Sequence, residues 1–235
     1  MKKTSVVKPD KNFKIEFNPD SIVVTVNVLI FTIRNDKLEV LLIKRAYQPF
    51  MDFWALPGGV FDPGESLDDA ACRILKERTG VDQVNTYLEQ LYTFGDPKRD
   101  PRERRIGVTY YALVPSDHLK LQAEGKATDA KWWTLKQLPE LAFDHRQIVN
   151  LGYDRLKTKV GYSSIVLELM PRRFRLSELQ KAYEVILGED IDKRNFRKQI
   201  KELDLVEATG LKEMDGAHRP AMLFKAKKKR LVLFK

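Results

Sequence analysis

Residues 59–81 read GVFDPGESLDDAACRILKERTGV, and this stretch restricts the fold more than any other. Its segment from Ser66 to Arg78, SLDDAACRILKER, reads as a helix. Ser66 is suited to the N-cap, Asp68 and Asp69 favour the positive helix end, and Gly80 stops the helix after Arg78. Positions 74, 77 and 78 stand at i, i+3 and i+4, so Ile74, Glu77 and Arg78 share one face. Strand patterns surround this helix. Residues 22–33 alternate and then run apolar, Asn35-Asp36-Lys37 reads as a turn, and a second strand follows at 38–43. Further strand signals lie at 87–94, 106–114 and 130–133, and a helix is expected from Asp144 to about Lys157. Strands around a central helix imply an α/β or α+β sandwich.

The charge divides unevenly along the chain. Residues 1–150 carry 22 Lys+Arg against 21 Asp+Glu, and residues 151–235 carry 20 against 12, so eight of the nine net positive charges fall in the last 85 residues. A basic module beside a neutral one is the footprint of a polyanion-binding domain joined to something else. On charge alone, a solvated basic surface ending in the lysine tail 225–230 remains the alternative. The basic half also has its own pattern. Residues 164–170 and 176–187 look like short amphipathic helices, 188–191 make a tight connection, and Asp192 can cap a third helix running to about Leu203. On that helix Phe196, Ile200 and Leu203 share one face and Arg194, Arg197, Lys198 and Lys201 another. Two β segments near 205–208 and 221–226 flank a polar loop with Gly210, Gly216, His218, Arg219 and Pro220. Helix, turn, helix and two-stranded wing make a winged helix-turn-helix plan.

Other classes are excluded more simply. One cysteine, Cys72, gives neither an internal disulfide nor a Cys-rich zinc site, and it reads as a small core residue. No apolar run approaches the roughly 18 residues of a membrane span. The start, MKKTSVVKPDKNFK, lacks the apolar stretch of a secretory leader, so a cytoplasmic protein is expected. The division is expected to be an arm at 1–20, a first domain at 21–158 and a second at 159–235.

In the stretch at 59–81, Gly59, Glu65, Arg73, Leu75, Glu77, Gly80 and Val81 stand at the spacing of the Nudix box, and the first domain resembles a Nudix domain. The resemblance implies a Nudix-like sandwich and, in hydrolases, Mg²⁺ held by acidic residues one turn apart on the box helix. Ile74 and Arg78 depart from that pattern. One carboxylate beside a guanidinium is a poor Mg²⁺ site, so little or no hydrolysis, no metal and no cofactor are expected. Arg78 can instead supply positive charge to phosphate oxygens. The segments 53–59, 96–102 and 142–145 look like those of Nudix proteins acting on ADP-ribose. Arg45, Phe53, Gly59, Glu65, Arg73, Glu77, Arg78, Arg99 and Arg102 are therefore the candidate ligand-binding residues. Phe53 is a candidate to stack on adenine, and Arg99 and Arg102 to reach ribose or phosphates. Asp144 and His145 read equally as a cap and a core histidine.

Residues 174–198 together with 219–224 resemble the C-terminal winged helix of the Nudix-related transcriptional regulators of NAD metabolism, the NrtR family. The resemblance covers about Asp20 to Lys225. It implies a homodimeric repressor of NAD biosynthesis or salvage genes, with ADP-ribose or a related nucleotide as effector and a palindromic duplex operator as partner. Candidate DNA-binding residues are Arg194, Asn195, Arg197, Lys198 and Lys201 on the recognition helix, with Arg172, Arg173, Lys193, His218 and Arg219 directed to phosphates and the wing. Two other readings fit the same residues. One is an active Mg²⁺-dependent ADP-ribose pyrophosphatase with a nucleic-acid-binding tail, and the other a sugar-responsive regulator of the same architecture.

Overall fold

The computed structural model describes residues 22–80, 86–118, 127–214, 220–227 and 231–234. The N-terminal arm, Val81, His218, Arg219 and residues 228–230 of the lysine tail lie outside the described residues. The chain splits into two compact units. The first contains most of the described chain as far as Tyr153, and the second runs from Asp154 onward together with Thr32–Leu38 and Pro115–Asp117.

The first unit is organised by β1 (Ile22–Arg34), whose Val28, Leu29, Ile30 and Phe31 are all fully buried. Burial on both faces requires cover on both sides of the sheet. β1 is joined to β2 (Lys37–Arg45) through Asn35 and Asp36, both at positive φ (47° and 54°), a backbone that these two residue types tolerate in a tight hairpin turn. β1 runs parallel to β6 (Arg104–Leu113), which pairs antiparallel with β5 (Tyr87–Phe94), while β7 (Ala127–Thr134) pairs with β2. Two strands escape sequence patterning because each has only two residues: β3 (Trp54–Ala55) on β2, and β4 (Gly58–Gly59) on β1.

Alternate residues of β1 meet different helices. Val26, Val28 and Ile30 share a core cluster with Ala70, Ala71, Ile74 and Leu75 of α1 (Leu67–Thr79). Leu29 points the other way, toward α2 (His145–Val160), where a Cβ on Gly152 would lie 2.1 Å from the Leu29 side chain. This is the expected sandwich. The ends of α1 are those the sequence marks: Ser66 accepts from the Asp69 N–H, and Gly80 turns left-handed while donating to Lys76.

In the second unit, residues 164–170 form a short 3-10 stretch (Ile165–Leu169) rather than an amphipathic helix. β8 (Phe174–Arg175), α3 (Leu176–Leu187), α4 (Lys193–Glu202), β9 (Val206–Glu213) and β10 (Ala221–Ala226) follow, with a sheet order of β8-β10-β9. Gly210 belongs to β9 rather than to the polar loop, taking up a positive φ of 77° within the strand. The α3–α4 turn is fastened by Glu184, which accepts from the Gln180 side chain and from the Ile191 N–H. Asp192 then caps α4 by accepting from the Asn195 N–H at 2.8 Å. Among the described residues no helix is long and apolar enough to cross a membrane.

Candidate functional site

The loop before α1 is held by a single arginine. Arg73 donates to both Glu65 carboxylate oxygens at 2.8 Å and to Glu77 at 3.3 Å, and Glu65 also accepts from the Asp62 N–H. The Arg73 hydrogen bonds, then the Asp62 amide, hold the Glu65 carboxyl well below the ordinary range, at about 2. Gly59 lies exposed at the head of this loop with open space above it, and the glycine that close packing demands is its neighbour. A Cβ on Gly58 would meet Asn27 Oδ1 at 2.4 Å and the Val26 carbonyl at 2.7 Å.

Ile74 and Arg78 are both buried. They belong to the stripe Ala70, Ala71, Ile74, Leu75, Arg78 and Thr79 that α1 turns inward, and Arg78 is only 8% exposed. The shared face of positions 74 and 78 is thus the packed face, and the structure keeps the Arg78 guanidinium inside the unit.

A second constellation gathers around Phe143. Arg45 lies 4.7 Å and Arg102 5.5 Å from its ring centroid, and Phe50 meets the ring edge-on with Phe53 beyond it. Arg45 donates to the Pro49 carbonyl; burial, reinforced by Arg102, lowers its pKa to about 10, so it stays charged at neutral pH. Arg102 is bound to Asp100, which Arg105 approaches at 3.6 Å. Phe50, Asp52 and Phe143 all adopt positive φ (63°, 68° and 55°) without being glycine. Such strain, of order 1–3 kcal/mol per residue, concentrates at binding and switch sites.

Arg99 is not free to reach a ligand. Its guanidinium forms two hydrogen bonds with Asp144 at 2.8 and 2.9 Å, and it lies so flat on Gly107 that a Cβ there would come within 2.9 Å of three of its atoms. Asp144 therefore acts as the largely covered partner of an ion pair at the head of α2, and His145 is the core histidine of the sequence reading. His145 Nδ1 accepts the Leu56 N–H at 2.9 Å, and burial pushes its pKa down to about 4. The unfolded chain protonates this imidazole near pH 6.5, whereas the folded chain does not until about pH 4. Stability is thus expected to fall as pH drops from about 6.5 to about 4, by about 3 kcal/mol. His145→Gln, which can still accept from Leu56, should flatten that part of a stability-against-pH curve; an unchanged slope would remove His145 as its source.

In the second unit, Lys193, Arg194, Asn195, Arg197, Lys198 and Lys201 are all exposed on α4, backed by buried Phe196 and Ile200. Only Lys198 has an ion pair among the described residues, a long one with Glu202 at 3.9 Å between two well-exposed side chains. Arg172 and Arg173 stand apart from this row, exposed before β8 and beside the wing strands.

The NUDIX domain family matches residues 23–151, and the NrtR DNA-binding winged helix domain matches residues 166–226. The ADPR responsive transcriptional repressor NtrR of Acinetobacter baylyi is 38% identical over 86% of this chain and 80% of its own length. The chain belongs to the NrtR family. The crystal structure of Shewanella oneidensis NrtR with a 27mer DNA superposes with a TM-score of 0.78 at 37% identity, covering 87% of this chain and 93% of that one. The NUDIX domain of the same protein with ADP ribose gives 0.53 at 38% identity, over 58% and 90%. The ADP-ribose pyrophosphatase of Methanocaldococcus jannaschii is 38% identical over 52% of this chain and 69% of its own length.

Within this NrtR chain the donor set on α1 does not fit the Mg²⁺ of a Nudix hydrolase. Ile74 lies in the apolar core, Glu77 is engaged by Arg73, and Arg78 brings a fixed positive charge to the same stripe. Among the described residues no three His, Cys, Asp or Glu side chains gather as a metal site. Sequence reasoning marked the segments that hold Phe143 and Asp100 but gave neither residue a role, and it missed Arg105. Their signal was the arginine-rich segment itself, in which so many guanidiniums near one aromatic group require carboxylates close by.

Proposed function

We propose that this NrtR-family chain is a homodimeric repressor that binds a palindromic operator through α4, and that its Nudix unit binds ADP-ribose, or a related nucleotide, as effector without hydrolysing it. The row of exposed basic side chains on α4, anchored from behind by Phe196 and Ile200, carries the reading. Arginine suits guanine edges and asparagine adenine edges, so Arg194, Asn195 and Arg197 read bases while Lys193, Lys198 and Lys201 contact phosphates. The similarity to the Acinetobacter baylyi repressor and to the DNA and ADP ribose complexes of Shewanella oneidensis NrtR supports both partners. Genes of NAD biosynthesis or salvage are the proposed targets, as the family resemblance implies.

The donor set of α1 supports catalytic silence, since metal ligation there would set Glu77 against Arg73 and Arg78. The Phe143 constellation is the proposed effector contact: Arg45 and Arg102 supply positive charge and Phe53 an aromatic surface. An effector that prefers the DNA-free state a hundredfold supplies about 2.7 kcal/mol of coupling.

The test is fluorescence anisotropy with a palindromic duplex from an NAD-biosynthesis promoter and a scrambled control, at fixed salt, with and without ADP-ribose. Specific binding that responds to ADP-ribose is expected, and equal binding to both duplexes regardless of nucleotide would refute it. In the same assay Arg197→Ala should weaken the specific complex by about 1–3 kcal/mol and leave the scrambled one nearly unchanged. The similarity to the Methanocaldococcus jannaschii pyrophosphatase favours a second reading, an active hydrolase. Mg²⁺-dependent release of AMP from ADP-ribose would establish that reading instead.

A further inference from the structure

The chain continues past the last wing strand, and the continuation folds back. Residues 231–234 lie beyond the 166–226 span of the winged helix family match, and they run antiparallel to residues 162–164. The Ser164 N–H donates to the Val232 carbonyl at 2.9 Å, the Phe234 N–H to the Tyr162 carbonyl at 2.7 Å, and the Val232 N–H to Ser164 Oγ at 2.9 Å. Val232 and Phe234 are half-buried while Leu233 between them is 63% exposed, the alternation of an added strand. Their partner is the joint at the end of α2. There the Lys159 carbonyl accepts from both the Tyr162 N–H and the Ser163 hydroxyl, and Ser163 and Ser164 are buried.

The near end of this continuation is fixed as well. The Lys227 N–H donates to the Leu205 carbonyl at 2.9 Å and its ammonium pairs with Asp204, so residue 227 is tied to the chain just as it leaves α4. Three residues separate Lys227 from Leu231, a reach of about 14 Å at full extension. A short tether therefore joins the exit of α4 to the exit of α2. The other end of α2 starts directly after Phe143 and Asp144, and from Asp154 onward this one helix belongs to the second unit. Coupling between distant sites is carried by rigid elements and hydrogen-bonded connections, and a loose joint absorbs it. We propose that Lys227 and residues 231–234 form a strap tying the exit of α4 to the end of α2, so that a change at the Phe143 end of that helix reaches the recognition row. The proposal rests on the effector reading above and adds to it a coupling element that lies outside the matched winged helix.

Proline fits extended backbone but cannot donate a hydrogen bond, so Val232→Pro/Phe234→Pro removes both donations made by the strap. Operator binding is read by fluorescence anisotropy with and without saturating ADP-ribose, and ADP-ribose binding by calorimetry. The double variant should bind operator and ADP-ribose each within about threefold of wild type, whereas the factor by which ADP-ribose changes operator affinity, about 5–150 for a typical coupling, should fall below about 3. A chain ending at Lys227 removes the segment without introducing proline and should behave the same way. Leu233→Ser, which alters only an exposed side chain, should keep the wild-type factor. Native-state hydrogen exchange gives a readout independent of any ligand: the Ser164 amide should be protected in wild type and exchange faster in both strap variants. An unprotected Ser164 amide in wild type, or an unchanged ADP-ribose factor in the variants, would overturn the strap and leave the effector reading standing. Loss of operator or ADP-ribose binding in both variants would make the segment a folding element and refute the coupling role. A wild-type operator affinity indifferent to ADP-ribose would remove the effector reading itself, and the coupling role with it.

Discussion

Replacing Arg99 by methionine should destabilise the first unit by about 3–5 kcal/mol, the cost of leaving one partner of a buried ion pair uncompensated. The Asp144 side chain, 10% exposed in the native fold, would lose both of its guanidinium hydrogen bonds. Its position one residue before α2 softens the loss, because a carboxylate at a helix N-terminus meets the positive end of the helix dipole. The reverse change, Asp144→Ala, has no such relief: it leaves a guanidinium buried beside Gly107 at that same positive end. Asp144→Ala should therefore be at least as damaging as Arg99→Met, and an apolar replacement of both should recover much of the loss. All three tryptophans, Trp54, Trp132 and Trp133, lie in the first unit, so their emission during urea unfolding reports on it selectively. A shift below about 1 kcal/mol for Arg99→Met would place this pair among ordinary surface ion pairs and refute its bracing role.

That pair also marks where sequence reasoning reached its limit. Helix ends were legible because caps are local: Ser66 with Gly80, and Asp192 with Gly188, bound their helices within a few residues. The sheet was legible wherever a strand had enough residues to alternate, as along 87–94 and 221–226. Strands of two residues were not, because β4 exists only through its register with Val26 and Asn27, more than thirty positions earlier. The role of a charged residue was the least accessible. Arg99 and Arg102 stand three apart in one Pro-bounded segment, yet the first is held inside by Asp144 and the second stays partly exposed on Asp100. A partner 45 positions away leaves no trace in local spacing. For Arg78 a signal did exist: Ala70, Ala71, Ile74 and Leu75 form an apolar stripe, and extending it by one turn reaches position 78.

The other large effect is expected at Phe196. Its ring is 3% exposed and meets Tyr183 edge-on with centroids 5.4 Å apart, fixing α4 to α3. Cutting it back to alanine removes most of that contact and should destabilise the helical part of the second unit by about 3–5 kcal/mol. Ile200 is the other buried anchor of a ten-residue helix otherwise covered with charge, so α4 cannot easily repack around the cavity. The basic residues of α4 depend on that anchor for their common orientation. Phe196→Ala should consequently abolish discrimination between operator and scrambled duplex although no residue facing DNA has changed. Because the second unit contains no tryptophan, circular dichroism should lose helix at a lower urea concentration than tryptophan emission reports. Phe196→Leu, which keeps most of the apolar volume, should restore both properties in large part. If Phe196→Ala retains full operator preference, the recognition surface cannot be α4 as packed on Tyr183. The base-reading residues would then have to be sought on the wing.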